Sequence, residues 1–437
     1  LRDVIIKKIP PQFELKISKS LILKMKPVFK PLNKPQKLAI LKVLMAKDYV
    51  LIRGFPGTGK TSTIVALVQI LLLTGQSVLL TSYTHSAVDT ILLKLKEAGV
   101  RFLRLGRRGR IHPSILPYSS EILTSFPDIN SVQKLKQFYD SYDVIATSCL
   151  GMNNPLFNMR KFDVCIVDEA SQVLQPACLG PLFNCSKFVL VGDPKQLPPI
   201  VKSKEARNLG MDESLFARLE GCGATYDLNL QYRMNRVIME LSNQLVYQGK
   251  LECGSAAVAE QCLELDMESL QACPAWMKEV LSPVLQNSVV FLDTGMTNTK
   301  ESKDGKGFFN NFEAELVVSI LQTLVKANLK SESLGVISPY NSQIKLIQLK
   351  VKGCHDVDDI EVNTVDQYQG RDKCVIIVSF VRTEKDHVGE LLKDLRRLNV
   401  ALTRAKHKLI LIGNAAALKS YEHVAKLLIW LEENNNV

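Results

Sequence analysis

One short segment of the chain has the residue types and spacing to hold a phosphate group. Residues 54–61 read Gly-Phe-Pro-Gly-Thr-Gly-Lys-Thr and fit the pattern GxxxxGK[ST]. The glycines allow backbone N–H groups to wrap the phosphates, and the N-terminus of a following helix adds its positive end. In this pattern Lys60 reaches the β- and γ-phosphates, and the Thr61 hydroxyl binds Mg²⁺. The predicted nucleotide-binding residues in this part of the chain are Gly57, Thr58, Gly59, Lys60, Thr61 and Thr63.

A pair of acidic residues supplies the second half of such a site. Residues 164–167 form an apolar run that is typical of a buried strand, and Asp168 and Glu169 follow it directly. Asp168 is suited to hold Mg²⁺, directly or through water, and Glu169 is suited to polarise an attacking water. Two carboxylates after a strand also fit a solvated turn, but the phosphate-binding segment upstream favours the catalytic interpretation. Together the two motifs predict NTP hydrolysis or phosphoryl transfer.

Secondary-structure patterns place both motifs in α/β domains. Short β-rich apolar runs alternate with helix-like segments, which is the pattern of parallel sheets. The gap between two groups of strands predicts two such domains, with an insertion or connection at residues 250–285 and a mobile loop at 297–307. The predicted strands are 49–53, 77–82, 143–148, 163–168, 187–192, 289–293, 334–338, 374–380 and 408–412, and the predicted helices include 61–73, 86–98, 311–326 and 341–350.

Composition and charge limit the classes of protein and partner. The chain has 437 residues, of which 46% are hydrophobic and 23% charged, as is typical of a globular protein with sizeable cores. Its most apolar stretch, 64–73, is much shorter than the roughly 20 residues that cross a bilayer, so we expect no membrane span. The net charge is +11, and residues 1–110 contain 21 Lys and Arg against 5 Asp and Glu. A basic surface favours solubility or a polyanionic partner, and composition alone does not distinguish nucleic acid from another polyanion.

Five motifs, the acidic pair included, occur in a fixed order and resemble those of the superfamily 1 helicases. With the phosphate-binding segment they extend the resemblance from residue 31 to about 414. The residues of these motifs are similar to those of the 1B branch, whose members move 5′ to 3′ along nucleic acid. Within that branch they resemble eukaryotic replication enzymes that join a helicase region to a nuclease. The motifs are Asp168–Gln172, Gly192–Pro199, Gln231–Met234, Val365–Gly370 and Asn399–Ala405.

The resemblance implies a role for several residues around the nucleotide. Gln36 corresponds to the glutamine that reads adenine, since an amide can both donate to and accept from the base edge. Tyr340 is similar to the aromatic residue that stacks on adenine, and Gln196 resembles the sensor of the γ-phosphate. Arg233 and Arg404 correspond to arginine fingers of the second domain, which offset charge in the transition state. Because these fingers and the phosphate-binding segment are assigned to different domains, hydrolysis is expected to require domain closure.

One residue departs from the family pattern. Family members usually carry Glu two residues after the Gln-Gly pair, whereas this chain has Asp372. The resemblance implies that this shorter carboxylate contacts the ribose hydroxyls of the nucleotide.

In the same family, single-stranded nucleic acid crosses both domains. The resemblance assigns contacts to hydroxyl-bearing residues after predicted strands and to a proline that presses against a base. Such contacts go mainly to phosphates, so binding is expected to tolerate any sequence and to weaken as salt rises. Without the motifs, these Ser and Thr residues are ordinary loop residues. The assigned residues are Thr81, Ser82, Thr84, Thr147, Pro198 and Thr364.

These observations lead to one prediction for the chain. The fold is α/β, with two tandem RecA-like P-loop domains on parallel sheets, at residues 31–225 and 226–437, after a basic accessory or linker segment at 1–30. The function is ATP- and Mg²⁺-dependent 5′-to-3′ translocation or unwinding on single-stranded, flap or forked DNA in replication and repair. The resemblance implies an upstream nuclease domain outside this chain, for which no nuclease activity is predicted, and replication or repair proteins as further partners.

Location and alternatives complete the prediction. We expect a nuclear location, with a mitochondrial one left open, and ten cysteines without a CxxC pair fit reduced thiols. The same motifs also fit an ATP-regulated nucleic-acid clamp that separates no strands, or an RNA helicase of the same superfamily. A metabolite kinase that uses the phosphate-binding segment is the third alternative.

Overall fold

The computed structural model describes residues 2–14, 17–124, 131–305, 307–354, 357, 359–384 and 390–434, with the backbone alone at 390 and 391. The chain forms two compact units, unit 1 from Leu1 to Asn229 and unit 2 from Leu230 to Val437. The predicted division between residues 225 and 226 lies close to this boundary, and the predicted domain limits themselves stay predictions. Among the described residues, no helix is long and apolar enough to cross a membrane.

Unit 1 is built around a parallel sheet. Its strands are β1 (Tyr49–Gly54), β2 (Val78–Ser82), β3 (Leu103–Arg104), β4 (Val144–Ser148), β5 (Phe162–Asp168), β6 (Cys185–Gly192) and β7 (Thr225–Leu228). In the described part of the unit they lie in the order β3-β4-β2-β5-β6-β1-β7, and every pair is parallel. The carboxyl ends of β1 and β5 therefore meet at one edge of the sheet, separated by β6 alone.

Apolar cores cover both faces of this sheet, which explains why its central strands are nearly continuous apolar runs. Successive residues of β1 alternate between the two cores: Val50 and Ile52 belong to one, and Tyr49 and Leu51 to the other. The helices of unit 1 are α1 (Arg2–Lys7), α2 (Lys19–Phe29), α3 (Lys34–Met45), α4 (Lys60–Leu73), α5 (His85–Glu97), α6 (Ser120–Leu123), α7 (Val132–Asp140), α8 (Leu156–Met159), α9 (Gln175–Leu182), α10 (Lys204–Asn208) and α11 (Leu215–Leu219).

Unit 2 contains a second parallel sheet. Its strands are β8 (Leu230–Gln231), β9 (Glu252–Cys253), β10 (Val289–Asp293), β11 (Ser302–Asp304), β12 (Gly307–Phe309), β13 (Leu334–Ser338), β14 (Glu361–Thr364), β15 (Lys373–Ser379) and β16 (Ala405–Gly413). Within the described residues, five of them form the parallel order β10-β16-β15-β13-β14. The remaining strands form two small pairs, β8 with β9 and β11 with β12.

The helices of unit 2 pack an apolar stripe against this sheet. The longest, α15 (Asn311–Lys326), buries Val317, Ile320, Leu321 and Leu324, which recur at helical spacing on one face. The other helices are α12 (Arg236–Ser242), α13 (Ala256–Ala259), α14 (Ala275–Val280), α16 (Asn341–Lys352), α17 (Val365–Tyr368), α18 (Glu390–Lys393), α19 (Leu395–Leu402), α20 (Ala415–Leu418) and α21 (Glu422–Glu433).

The predicted α/β class with parallel sheets is confirmed, and each predicted strand overlaps an observed one. Three edge strands of the two large sheets were missed, β3, β7 and β14. The first has two residues only, and the sequences of the others, Thr-Tyr-Asp-Leu and Glu-Val-Asn-Thr, contain no apolar run. The mobile loop predicted at 297–307 is in part wrong, since β11 pairs antiparallel with β12 and forms a hairpin. The segment 250–285 is more than a connection, because Leu263, Leu270 and Met277 are buried in the core of unit 2.

Candidate active site

The phosphate-binding segment of unit 1 forms the turn between β1 and α4. Gly57 and Gly59 adopt φ angles of 73° and 77°, a left-handed conformation that favours glycine. A Cβ atom on Gly54 would lie 2.3 Å from Cγ of Lys60, so the side chain of Lys60 passes directly over Gly54. Lys60 Nζ donates a hydrogen bond to Gly54 O at 2.9 Å. The lysine ammonium is thus held above the turn at the N-terminus of α4.

The three threonines of this segment have different surroundings. Thr58 is buried, and its hydroxyl donates to Phe55 O at 2.8 Å, which fixes the turn. The Thr63 hydroxyl donates to Gly59 O at 3.0 Å, one helical turn back, so its side chain supports the backbone of the loop. Thr61 is half-buried in the first turn of α4, the position at which a hydroxyl serves as a ligand for Mg²⁺.

Gln36 connects the start of α3 to the phosphate-binding turn. Its backbone N–H donates to Asn33 Oδ1 at 2.9 Å, and its Oε1 accepts from the Asn33 N–H at 3.1 Å, which makes a capping box. Gln36 Nε2 donates to Thr58 O at 3.1 Å, and the side chain is buried. The structure therefore places the predicted adenine-reading residue against the loop, and the adenine contact itself stays a prediction.

The two acids lie where β5 ends, beside the same edge of the sheet. Asp168 is 6% exposed, and its Oδ1 has no hydrogen-bond partner among the described residues. Burial and the neighbouring charge of Glu169 raise the pKa of Asp168 to about 7, while the Lys60 ammonium acts in the opposite direction. An unpaired carboxylate oxygen beside a second carboxylate and a lysine fits a hard divalent cation such as Mg²⁺. Asp168 and Thr61 would hold that cation.

Glu169 occupies a conformation that is rare for residues with a side chain. Its φ and ψ angles of 50° and 36° turn the chain sharply after β5. Its Oε2 accepts a hydrogen bond from Gln172 Nε2 at 2.9 Å. The adjacent acids therefore have different environments: Asp168 is buried at the strand end, and Glu169 is half-buried and hydrogen-bonded.

The predicted γ-phosphate sensor is held by two residues that the motif analysis did not single out. Gln196 is buried, and its Nε2 donates to Asp193 Oδ2 at 2.8 Å. Asp193 is fully buried, and its backbone N–H donates to Ser171 Oγ at 3.2 Å, close to the acidic pair. The segment Gly192-Asp193 contained a signal for this arrangement, since a polar residue directly after a buried strand needs hydrogen-bond partners.

The first predicted arginine finger lies in an ion-pair cluster of unit 2. Arg233 Nε donates to Asp372 Oδ2 at 3.0 Å, and Arg233 Nη1 donates to Thr403 O at 3.1 Å. The other carboxylate oxygen of Asp372 pairs with Lys406 Nζ at 2.7 Å. Gln231, which the sequence analysis did not assign, accepts the Arg233 N–H at 2.8 Å. The structure brings Arg233 and Asp372 together, and the ribose contact of Asp372 is not tested.

The second predicted finger, Arg404, is only 2% exposed. Its Nε donates to Val400 O at 2.9 Å, its Nη2 donates to Thr403 Oγ1 at 2.9 Å, and its Nη1 donates to Arg371 O at 3.4 Å. These bonds tie the guanidinium to the end of α19 and to the turn before β15. In this structure Arg404 thus stabilises unit 2, and its contact with phosphate stays a prediction.

Tyr340 lies at the N-terminus of α16, packed under the β11–β12 hairpin. Its ring makes an edge-to-face contact with Phe308, with 5.5 Å between the ring centroids. The side chain is buried, and burial raises the pKa of the phenol to about 12. In this structure the aromatic partner of the ring is Phe308, and stacking of the ring on adenine stays a prediction.

Three of the predicted nucleic-acid residues have buried side chains. Thr81 and Thr147 lie inside the sheet of unit 1, and the Thr81 hydroxyl donates to Cys149 Sγ at 3.3 Å. The Ser82 hydroxyl is also buried and has no hydrogen-bond partner in the described ranges. They lie at the carboxyl ends of β2 and β4, and their contact with nucleic acid stays a prediction.

The other three predicted contacts lie nearer the surface or at a helix end. Thr84 is exposed and caps α5 by accepting the Ala87 N–H at 3.2 Å. Pro198 is half-buried in the loop after β6, and Thr364 is the residue before α17, 9% exposed. Their contact with nucleic acid stays a prediction.

A basic loop follows β3 and is hydrogen-bonded to α5, the helix after β2, through the His112 N–H and Asp89 Oδ2 at 2.9 Å. It is fixed by buried Arg104, whose Nε donates to Asp89 Oδ1 at 2.8 Å and whose Nη2 is 3.0 Å from His85 Nδ1. Burial, and the charges of Arg104 and Arg110, lower the pKa of His85, so Nδ1 accepts the bond from Arg104. The exposed cations of the loop are Arg107, Arg108 and Arg110.

Comparison with known proteins gives matches along most of the chain. Two AAA domain models match, one over residues 31–130 and 127–204 and the other over 211–416. The DNA replication ATP-dependent helicase/nuclease DNA2 of Xenopus laevis is 50% identical over 422 residues, which are 94% of this chain and 40% of the relative. The protein of the same name from Mus musculus is 50% identical over 443 residues, 98% of this chain and 41% of the relative.

A solved structure shows a weaker likeness. The crystal structure of the arterivirus nonstructural protein 10 helicase aligns with 90% of this chain and 64% of its own, at 16% identity and a TM-score of 0.45. The family assignment therefore rests on the sequence relatives and not on this structural likeness. This chain spans about two fifths of the length of these curated relatives.

Proposed function

We propose that this chain, which belongs to the superfamily 1 helicases, is the ATP-driven motor of a DNA replication helicase/nuclease. It hydrolyses ATP in unit 1 and uses the cycle to move 5′ to 3′ along single-stranded DNA, including flap or forked DNA. The matched relatives are named as ATP-dependent DNA replication enzymes, which supports DNA over RNA as the nucleic acid along which the chain moves. A nuclear role in replication and repair, with a nuclease domain and replication proteins as partners, belongs to the same proposal.

One observation carries the proposal: a phosphate-binding turn and two carboxylates share one edge of the unit 1 sheet. Lys60 lies over the turn and is near enough to lower the pKa of Asp168. With ATP present, the Lys60 ammonium balances charge on the β- and γ-phosphates. Thr61 and Asp168 would hold Mg²⁺, which supplies a Lewis acid at the phosphate oxygens. Glu169 orients the attacking water and takes its proton.

Gln196 and the two arginines complete the proposed chemistry. The Gln196 amide, oriented by Asp193, responds to the presence of the γ-phosphate. Arg233 and Arg404 offset the charge that develops on the transferring phosphoryl group, a role worth about 10³–10⁵ in rate in phosphoryl-transfer enzymes. Both guanidinium groups are held by hydrogen bonds within unit 2, which limits the freedom that they must lose during catalysis.

Steady-state ATPase measurements with and without single-stranded DNA or RNA test this proposal. The chain is expected to hydrolyse ATP faster with DNA, Lys60→Ala to abolish hydrolysis, and Glu169→Gln to bind ATP without turnover. The exposed residues Lys204 and Glu205 of α10 provide matched controls, since Lys204→Ala and Glu205→Gln make the same chemical changes away from the turn. Wild-type turnover in both site variants would refute the assignment.

A strand-displacement assay separates the motor from a clamp. Forked DNA with a 5′ single-stranded tail is expected to be unwound, whereas the same fork with a 3′ tail is not. DNA-stimulated hydrolysis without displacement of either fork would support the clamp, and hydrolysis indifferent to nucleic acid would support a metabolite kinase.

A further inference from the structure

The turn that follows the Gln-Gly pair of unit 2 delivers a carboxylate to the first arginine finger. After α17, Gly370 adopts a φ angle of 82° and reverses the chain, so that Asp372 lies immediately before β15. The first residue of β15, Lys373, is hydrogen-bonded through its N–H to Arg404 O at 3.1 Å. This register brings Asp372 beside the start of β16 and the residues that precede it.

Both oxygens of the Asp372 carboxylate are engaged by cations. Oδ2 accepts from Arg233 Nε at 3.0 Å, and Oδ1 pairs with Lys406 Nζ at 2.7 Å. Burial raises the pKa of Asp372, but Arg233 and Lys406 outweigh burial, and the pKa lies below its ordinary value. The carboxylate is therefore ionised at neutral pH and held in charge-assisted hydrogen bonds, which are stronger than those to neutral hydroxyls.

Arg233 is held at two points of its guanidinium. Besides the bond from Nε to Asp372, Nη1 donates to Thr403 O at 3.1 Å, and the side chain is 14% exposed. The Thr403 carbonyl belongs to the backbone next to the second finger, Arg404. Two acceptors therefore fix the orientation of the Arg233 side chain, and Asp372 supplies the charged one.

We propose that Asp372 is a positioning residue for Arg233 and not a reader of the ribose. The proposal rests on the ATPase function proposed above. The carboxylate holds the guanidinium in one orientation, so that no rotamer search is needed when the γ-phosphate arrives. The Asp372 carboxylate is thus paired with protein cations. The Asp side chain, one methylene shorter than the usual Glu, reaches Arg233 Nε at 3.0 Å and Lys406 Nζ at 2.7 Å.

The test compares ATP with dATP in variants of both residues. Asp372→Asn removes the charge but keeps the shape, and it is expected to lower kcat by about 10- to 100-fold, the usual size of a positioning defect. Because the sugar is not contacted, kcat is expected to fall equally for ATP and dATP while KM changes little. Asp372→Glu is expected to recover part of the lost rate. Asp304→Asn, an exposed aspartate on the β11–β12 hairpin, is the matched control and retains the wild-type kcat.

A double-mutant cycle decides whether Asp372 acts through Arg233. In an Arg233→Ala background, adding Asp372→Asn is expected to cause no further loss of single-turnover rate, because the partner is already absent. Two results of these kinetic measurements would overturn the proposal. One is a change in the ratio of kcat/KM for ATP to that for dATP with kcat unaffected, and the other is an additive loss in the double variant.

The same four proteins give a readout that needs no hydrolysis. Urea unfolding of wild type, both single variants and the double variant yields the coupling between Arg233 and Asp372. A positive coupling is expected, and its absence overturns the proposal even if the chain hydrolyses no ATP. Failure of the ATPase in wild type, with the coupling present, refutes the proposed function and leaves the ion pair in place.

Discussion

The buried glutamate of α15 offers a quantitative test of how unit 2 is stabilised. Glu313 is fully buried, and its Oε2 accepts hydrogen bonds from Ser379 Oγ at 2.6 Å and from the Val381 N–H at 3.0 Å. Val381 has a φ angle of 74°, which is unusual for a β-branched residue, so this carboxylate supports a strained turn after β15. The perturbation is Glu313→Gln, which keeps the shape and removes the charge.

The pKa of Glu313 gives the size and sign of the expected effect. Burial raises this pKa from 4.5 to about 7, against the hydrogen bonds from Ser379 and Val381. A folded-state pKa above the unfolded one means that the folded state holds a proton that the unfolded state releases. Wild-type stability therefore falls as pH rises from about 4.5 to about 7 and then stays level. At pH 8 Glu313→Gln is expected to raise the free energy of unfolding by up to about 3 kcal/mol.

The gain at pH 8 is an upper limit, because the amide loses one acceptor. In the Glu313→Gln variant, the side-chain nitrogen would carry N–H groups facing Asn310 Nδ2, which in wild type lies 3.5 Å from Glu313 Oε1. These buried N–H groups would face a donor and not an acceptor, and an unsatisfied buried donor costs about 1–3 kcal/mol, a cost that is the same at both pH values.

Tryptophan fluorescence provides the assay. Both tryptophans, Trp276 and Trp430, belong to unit 2, so urea titration followed by their emission reports the unfolding of that unit. The difference between variant and wild type is measured at pH 8 and at pH 5, where most of it should disappear. Glu315→Gln is the matched control. Hydrogen bonds from Lys350 and Asn311 lower the pKa of the exposed Glu315, so its loss should bring no gain at high pH. An equal difference for Glu313→Gln at both pH values would refute the reasoning.

Three further predictions concern the nucleotide site and the binding of single-stranded DNA. Arg404→Ala is expected to lower ATP turnover sharply with modest loss of nucleotide affinity; because Arg404 is buried, turnover is measured per folded molecule, and an unchanged value removes it from the finger role. Gly54→Ala is expected to weaken ATP binding in calorimetry, because the new Cβ would lie 2.3 Å from Lys60 Cγ, and an unchanged Kd would contradict the geometry. Replacing the three arginines within residues 107–110 by Gln is expected to flatten the salt dependence of single-stranded DNA binding by about 2 in log–log slope, since each phosphate contact contributes about 0.7. An equal change on replacing three exposed lysines of unit 2 would show an effect of net charge alone. Those lysines are Lys278, Lys326 and Lys330.

The sequence by itself predicted the features that depend on neighbouring residues. The segment 54–61 forms the predicted turn between a strand and a helix because glycine conformations and a helix start are local properties, and the structure has Gly57 and Gly59 in left-handed conformations. The central strands of both sheets were found because burial on two faces requires continuous apolar runs. The order of the family motifs added the resemblance to the superfamily 1 helicases, and relatives named as ATP-dependent helicase/nucleases match 94% and 98% of this chain.

Only the tertiary structure decided which distant side chains meet and which are buried. Arg233 and Asp372 are 139 positions apart, and nothing in either local sequence indicates that they form an ion pair. Thr81 and Thr147 match the predicted nucleic-acid contacts, yet they are paired residues of adjacent strands and their side chains are buried. The physical reason is the same in each case: pairing and burial are set by strand order and register, which depend on contacts across the whole unit and not on local spacing.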